Sequence, residues 1–410
     1  MLRRSLTAGL ALAAVLALPG AAHAADPTPA QAAGYAAGWL GRTIDPTGYV
    51  PSLGGPDYNT TALAVLALVA AEVGEDQAAA ATTYLMSHVD AYVVESGNDR
   101  PAALATLILV AHARGLDPSA LVTRLLATKQ TSGNDTGLFG SQDATYDGAY
   151  RQALALLALD AAGQTDAAAV AWLKAEQCAD GGWMGNRPDQ SAPCPAFDSN
   201  TFVGEDSNGT AMAAMALAAL GETPAQDPLD FLADAQNEDG GFAFVPGFGS
   251  DANSTALAIQ ALISSGEDLA DWSAPDGTPY EYLLSLQLGN PPATTASAFR
   301  FQAGGTANAF ATVQAVPALA GRAFPLAQPE TMSDTLPLLP AAPSAAPSPT
   351  ATPTVQPEPD VIATQVPTLP ETGGFGRKPW DATGFAVFGL GILGYGVLAL
   401  GAAHLVRRRG

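Results

Sequence analysis

Thr210-Ala211-Met212-Ala213-Ala214-Met215-Ala216-Leu217 is an unbroken run of small and apolar residues, entered through the polar string Asp206-Ser207-Asn208-Gly209. Similar runs begin at Thr61 (TALAVLAL), Ala102 (AALATLIL), Gln152 (QALALLAL), Thr255 (TALAIQAL) and Asn308 (NAFATVQA). With Ala62, Ala103, Ala153, Ala211, Ala256 and Ala309 in register, the steps are 41, 50, 58, 45 and 53 residues, the length of a helical hairpin with its loops. Runs that are apolar nearly all round predict inner helices under a covering layer, and their small side chains let neighbours approach closely. Six such runs predict a closed ring.

Between the runs lies a second kind of segment. Trp172-Leu173 leads to Gln177 and then Asp180-Gly181-Gly182-Trp183; Phe231-Leu232 leads to Gln236 and then Asp239-Gly240-Gly241-Phe242. Weaker copies run from Trp39-Leu40 to Gly48-Tyr49, from Leu125-Leu126 through Gln130 to Gly137-Leu138-Phe139, and from Tyr282-Leu283 to Gln287. An amphipathic outer helix ends, glycines supply the positive φ of a tight turn, and the aromatic after them folds back on the helix end. The second repeat, Tyr84 to Leu109, has no Asp-Gly-Gly and could leave the ring imperfectly closed.

An aromatic-Leu, Gln, Asp-Gly-Gly-aromatic segment followed by a Thr-Ala-rich helix resembles the repeats of the terpenoid cyclase and protein prenyltransferase toroid superfamily, which includes squalene cyclases and cobalamin carriers related to transcobalamin. The resemblance covers Ala32 to Ala320 and implies an all-α fold, an (α/α)6 toroid of six helical hairpins, over residues 25–320. Fold alone does not carry function.

The chemistry of those relatives can be checked residue by residue. Squalene cyclases use the middle aspartate of Asp-x-Asp-Asp-Thr-Ala; the matching string here is Asp206-Ser207-Asn208-Gly209-Thr210-Ala211, and the Asn208 amide cannot supply a strongly acidic proton. The pattern recurs as Asp57-Tyr58-Asn59-Thr60-Thr61-Ala62 and Asp251-Ala252-Asn253-Ser254-Thr255-Ala256, as expected of helix caps needed in every hairpin. Asp206, Asn208, Asp251 and Asn253 therefore cap helices or line a cavity mouth. A calcium loop opening at Asp206 would need a bidentate Glu where Leu217 stands. Prenyltransferase zinc needs Asp, Cys and His, yet neither His88 nor His112 has a Cys or His at ligand spacing. No metal site, cofactor or catalytic residue is assigned.

The resemblance to the cobalamin carriers points instead to a non-catalytic binding module. Its ligand would be corrinoid-like, apolar or a glycan, held at a mouth where Tyr49, Phe139, Trp183 and Phe242 offer aromatic surface. The alternative place for these four is packing on helix ends. The alternative function is an extracellular carbohydrate-active lyase or hydrolase, or a terpene-cyclase-like enzyme, since 39 acidic residues make carboxylate pairs easy to assemble.

The chain ends predict where the ring resides. Arg3 and Arg4, the apolar stretch Leu6 to Leu18 and Ala22-His23-Ala24 read as a signal peptide over residues 1–24. Residues 321–368, dense in Pro, Ala, Ser and Thr, read as a disordered stalk, of which about 40 residues between Pro325 and Pro367 could reach ~120 Å if extended at ~3.1 Å per residue. Leu369-Pro370-Glu371-Thr372-Gly373 matches the signal of sortase substrates, whose Thr–Gly bond is cut and joined to peptidoglycan on Gram-positive surfaces. Gly384 to Val406, without a charge, reads as a transmembrane helix, and residues 407–410 as a basic cytoplasmic tail. A wider gap than sortase signals show, holding Arg377, Lys378, Trp380 and Asp381, separates motif from helix, so retention by the membrane helix is the alternative anchor. Sortase, peptidoglycan and the membrane are thus the expected anchoring partners of a secreted, surface-displayed protein.

Charge agrees with that life. Of 17 basic residues, two lie in the signal peptide and five from Arg377 onward, leaving ten against 38 of the 39 acidic residues. Nucleic acid is excluded as a partner, because phosphate binding needs a basic footprint. Cys178 and Cys194 predict a disulfide, worth about 3 kcal/mol for a loop of about 15 residues.

Overall fold

The computed structural model describes residues 27–141, 148–185, 187, 192–200 and 203–341. The residues read from sequence as a signal peptide (1–24), the part of the expected stalk beyond residue 341, the Leu369–Gly373 motif and the Gly384–Val406 segment lie outside the described residues. No helix among the described residues is long and apolar enough to cross a membrane.

Thirteen helices are described: α1 (Pro29–Thr43), α2 (Tyr58–Ala71), α3 (Glu75–Ser87), α4 (Val89–Val93), α5 (Pro101–Ala113), α6 (Ser119–Ala127), α7 (Gly148–Ala161), α8 (Ala167–Ala175), α9 (Ser207–Ala219), α10 (Pro228–Ala235), α11 (Ala252–Ser265), α12 (Pro279–Ser285) and α13 (Ala309–Leu319). The six alanine-rich runs form α2, α5, α7, α9, α11 and α13. Each packs on the next and α13 returns to α2, so they close into a ring. Outside it α3 lies on α2, α6 on α5, α8 on α7, α10 on α9 and α12 on α11, while α1 lies across the seam between α13 and α2. The second repeat does not open the ring. Its missing Asp-Gly-Gly is replaced by α4 and a two-residue hairpin, Val94–Glu95 on Asn98–Asp99, turned by Ser96 and Gly97 at φ 51° and 82°.

One hydrogen bond joins turn to inner helix in five of the six repeats. The N–H of Val50, Trp183, Phe242 and Phe299 donates to the hydroxyl of Thr61, Thr210, Thr255 and Thr312, each at 2.9 Å. In the third repeat Phe139 N–H donates to the Gln152 amide oxygen, also at 2.9 Å. The preceding double glycine is a matter of space. A Cβ on Gly181, at φ 96°, would lie 2.3 Å from the Asp227 carbonyl oxygen, and one on Gly182 would lie 2.7 Å from the Phe231 ring.

In three repeats the glutamine, Gln177, Gln236 or Gln287, bridges its turn to the next hairpin. Gln177 accepts from the N–H groups of Ala225 and Gln226 and donates to the carbonyls of Gly181 and Gln226. Gln287 donates to the Ala32 carbonyl at 3.0 Å, tying the last hairpin to the first across the seam.

Residues 321–341, read from sequence as the start of the stalk, are ordered against the ring. They form an extended strap on it, because apolar and backbone groups find partners there that composition does not reveal. Leu326 is buried, Ser333 pairs with Val73, and Leu336 sits over Gly41 and Gly74. Arg42 donates to the carbonyls of Leu336 and Pro337 at 3.2 and 3.0 Å, and Asn290 donates to the Leu339 carbonyl at 2.9 Å.

Candidate functional site

The inner helices all begin at one face of the ring, and their caps build that face from the backbone upward. Asp57, Asp206, Asp251 and Asn308 accept the N–H groups of Thr60, Gly209, Asn253 with Ser254, and Ala311 at 2.7–2.9 Å. Two residues inside each cap stand Asn59, Asn208, Asn253 and Phe310. The equivalent place on α7, two residues before Gln152, is Tyr150.

That position faces the hole of the ring. Tyr150 and Phe310 line its central cavity, as do Leu63, Leu66, Leu154 and Met212 one and two turns further down their helices. With a spacing of four and seven residues on one helical face, Asn59 stands above Leu63 and Leu66, Asn208 above Met212, and Asn253 above Leu257 and Gln260. The lower end is closed by Phe324, from the start of the strap. The cavity itself is about 30 Å³, room for roughly two waters at ~10–15 Å³ each. A corrinoid or terpenoid does not fit in this cavity.

The hole-facing positions at the top of the inner helices and one or two turns down carry under-satisfied polar groups. Asn59 Nδ2, Asn208 Oδ1, Asn253 Oδ1, Gln260 Oε1 and Gln314 Oε1 are buried atoms without a hydrogen-bond partner. Buried polar groups are ordinarily paired, so five unpaired amide atoms on hole-facing positions need an explanation. Asn59, Asn253, Gln260 and Gln314 are at most 8% exposed. Asn208 is partly exposed.

Burial pushes the Asp206 carboxyl up to about 7 and that of Asp251 up to about 6, with the N–H groups they cap pulling the other way. Both oxygens of Asp251 are engaged, Oδ1 by the N–H groups of Asn253 and Ser254 and Oδ2 by the Ser254 hydroxyl at 2.8 Å. Burial also raises the Tyr150 phenol, and the charge of Asp206 adds to this.

Glu205, next to Asp206, is pushed up to about 8 by burial, a hydrogen bond to Asp180 and the charge of Asp180. The next repeat explains the pair. Ser250 stands where Glu205 does and donates to Asp239 at 2.8 Å, while Asp239 accepts the Gly241 N–H. A protonated Glu205 makes the same turn-locking bond to Asp180, so the pair is structural. Cys178 and Cys194, 5.8 Å apart at Cα, are joined in a disulfide beside it. Their sulfurs and the Glu205 carboxylate are grouped closely enough to hold a metal, but a disulfide has no thiolates to offer.

The aromatic residues divide differently from the sequence reading. Phe139, Trp183 and Phe242 are fully buried wedges between turn and inner helix, joined there by Phe299, and none presents surface to a mouth. The sixth wedge was hidden because Ser297, at φ 79°, takes the place of the first glycine. Tyr49 is one residue out of register, since Val50 makes the wedge bond, and its partly exposed ring stacks elsewhere. Asp206, Asn208, Asp251 and Asn253 do come together, on the adjacent helices α9 and α11. Asn59, Tyr150, Gln260 and Gln314 join them on hole-facing positions; four- and seven-residue spacing down each inner run was the signal that could have found them.

No known protein family matches the chain, and no curated protein does. Among solved structures, the chain is similar to Candida albicans protein geranylgeranyltransferase-I complexed with GGPP, at 12% identity and TM-score 0.41 over 63% of this chain and 83% of that one. It is also similar to a type II terpene cyclase from Scytonema in complex with merosterolic acid A, at 15% and 0.48 over 72% and 96%, and to UGL with dGlcA-Glc-Rha-Glc, at 14% and 0.49 over 70% and 95%. At these identities and scores no residue role passes from those proteins to this chain.

Proposed function

We propose that the protein is a surface-displayed, non-catalytic binding module that holds a neutral, hydroxyl-rich ligand, a glycan, at the mouth of its ring. The observation that carries this reading is the set of unpartnered amide atoms, Asn59 Nδ2, Asn208 Oδ1, Asn253 Oδ1, Gln260 Oε1 and Gln314 Oε1, on the hole-facing positions of four inner helices. Amides both donate and accept, which suits sugar hydroxyls and offers little to an apolar ligand. A cavity of about 30 Å³ argues against an apolar or corrinoid-like ligand inside the ring. The acidic surface disfavours an anionic one.

Catalysis at the mouth is disfavoured because the carboxyls there with raised pKa are committed to other work: Asp206 and Asp251 cap helices, and Glu205 locks a turn. Display through the signal peptide, the stalk and Leu369–Gly373 belongs to the same reading. Thr372→Ala should then move the protein from the wall fraction to the membrane fraction.

The test is native mass spectrometry of the full-length protein with neutral oligosaccharides, cyanocobalamin and terpenoids. A retained oligosaccharide, lost in Asn208→Leu with Asn253→Leu, supports the reading. Retention of cyanocobalamin or a terpenoid in place of any sugar overturns it, and conversion of the oligosaccharide to a lighter product makes the protein an enzyme.

A further inference from the structure

The first two hairpins carry a group of rings that the capping and wedge pattern does not use. Tyr84, on α3, stacks on His88 at 4.2 Å and 22°. Tyr49 lies 5.0 Å from Tyr84 at 42°, and Tyr58 lies 6.0 Å from it at 21°. Tyr58 in turn stacks on Tyr92 at 5.9 Å and 16°. The series runs from the exposed His88, through three partly buried tyrosines, to the buried Tyr92, whose hydroxyl donates to Asn59 Oδ1 at 3.1 Å. It therefore ends on Asn59, whose Nδ2 is without a partner, and Tyr58 and Asn59 are adjacent residues at the start of α2.

We propose that Tyr49, Tyr58, Tyr84 and His88 form a stacking subsite for the neutral sugar rings of a glycan chain that leaves the mouth over the first hairpin. This rests on the reading of the mouth as a glycan site. Tyrosine and histidine present an apolar face with a polar tip, the combination that meets both the C–H face and the hydroxyl edge of a pyranose. The platform is held in place from beneath. His88 Nδ1 is bonded to the Tyr84 carbonyl at 2.8 Å, so its ring is oriented before any ligand arrives.

Two other ligand classes fit less well. An anionic glycan would meet a chain with 38 acidic residues ahead of Arg377. A cation wants rings that enclose it, whereas these pack against one another in series.

The experiment is calorimetric titration of the full-length protein with neutral disaccharides and hexasaccharides of glucose, mannose and N-acetylglucosamine, and with a uronic acid hexasaccharide. The variants are Tyr84→Ala, Tyr84→Leu and Tyr49→Ala, with Asn208→Leu as the mouth control. For the bound sugar series, we expect the tyrosine variants to weaken the hexasaccharide at least tenfold while the disaccharide stays within twofold of wild type. Tyr84→Leu keeps apolar packing if Tyr84→Ala fails to fold, and should show the same loss.

Wild-type hexasaccharide affinity in folded Tyr84→Leu and Tyr49→Ala, with Asn208→Leu impaired, would overturn the subsite and leave the mouth reading standing. The reverse pattern would place the sugar on the rings alone and overturn the mouth. Preference for the uronic acid chain would overturn the neutral-sugar assignment, and failure of every sugar to bind would overturn both.

Discussion

The hydroxyl of Thr210 accepts the amide N–H of Trp183 at 2.9 Å and donates to the carbonyl of Asp206 at 2.7 Å, so one side chain fastens both the turn and the helix start. Thr312 does the same between Phe299 and Asn308. Thr210→Val preserves shape but strands a buried N–H. The cost expected is about 1–3 kcal/mol, read as a lower urea midpoint with unchanged slope.

Gln152→Leu should cost more than Thr210→Val. Gln152 fills the threonine place in the third repeat and makes three bonds, accepting from Phe139 N–H and donating to the carbonyls of Gly137 and Ala169 at 2.9–3.0 Å. All three are buried. Parallel urea titrations of the two variants compare them, and equal midpoints would show that the extra two bonds contribute nothing.

Stability should fall as pH rises from about 5 to 8. A carboxyl raised in the native state, as Glu205 is to about 8 and Asp206 to about 7, is fully favourable below its ordinary range and loses that contribution as the unfolded chain ionises first. Glu75 and Asp99 act in the opposite sense, held low by hydrogen bonds from Arg114 and Arg124, so stability also falls toward strong acid. Glu205→Gln keeps a hydrogen-bond donor toward Asp180 and cannot ionise. Its melting temperature should therefore exceed that of wild type at pH 8 and match it near pH 4.

Much of this architecture was legible because the alanine runs are long and their polar entrances repeat. The inner ring, the caps at Asp206 and Asp251 and the wedge at Trp183 follow from residue type and spacing alone. Illegible were the features that depend on register or on distant partners. Val50 rather than Tyr49 makes the first wedge bond, a shift of one residue that sends Tyr49 to the stacked rings. Ser297 disguises the sixth turn. Asn208 and Asn253 were legible as residues that cap helices or line a mouth, whereas Asn59, Gln260 and Gln314 were not, because only ring closure shows which face of each helix meets the hole.

Reduction of the Cys178–Cys194 disulfide should cost around 3 kcal/mol, since it releases a loop closed over a separation of 16 residues. Because the bond lies beside Glu205 and Asp180, the reduced protein should also show a weaker pH dependence between 5 and 8. Melting curves with and without reductant at pH 5 and 8 measure both effects. An unchanged pH dependence would separate the disulfide from the carboxyl pair.

The strap supplies the last prediction, because residues that read as linker are held by glycines in helices. A Cβ on Gly38 would lie 2.0 Å from the Pro337 carbonyl oxygen, and one on Gly41 would lie 2.4 Å from the Leu336 side chain. Neither glycine has a positive φ, and both sit within α1, where alanine is the better helix former. If helix propensity decided the matter, Gly38→Ala would stabilise the protein by about 1 kcal/mol. The contact with the strap backbone predicts the reverse sign, with Pro337 displaced and the Arg42 bonds to Leu336 and Pro337 lost. Limited proteolysis followed by mass analysis should show new cleavage between residues 321 and 341 in Gly38→Ala, together with a lower melting temperature. A more stable variant with an uncut strap would mean that the strap rests on the ring without holding it.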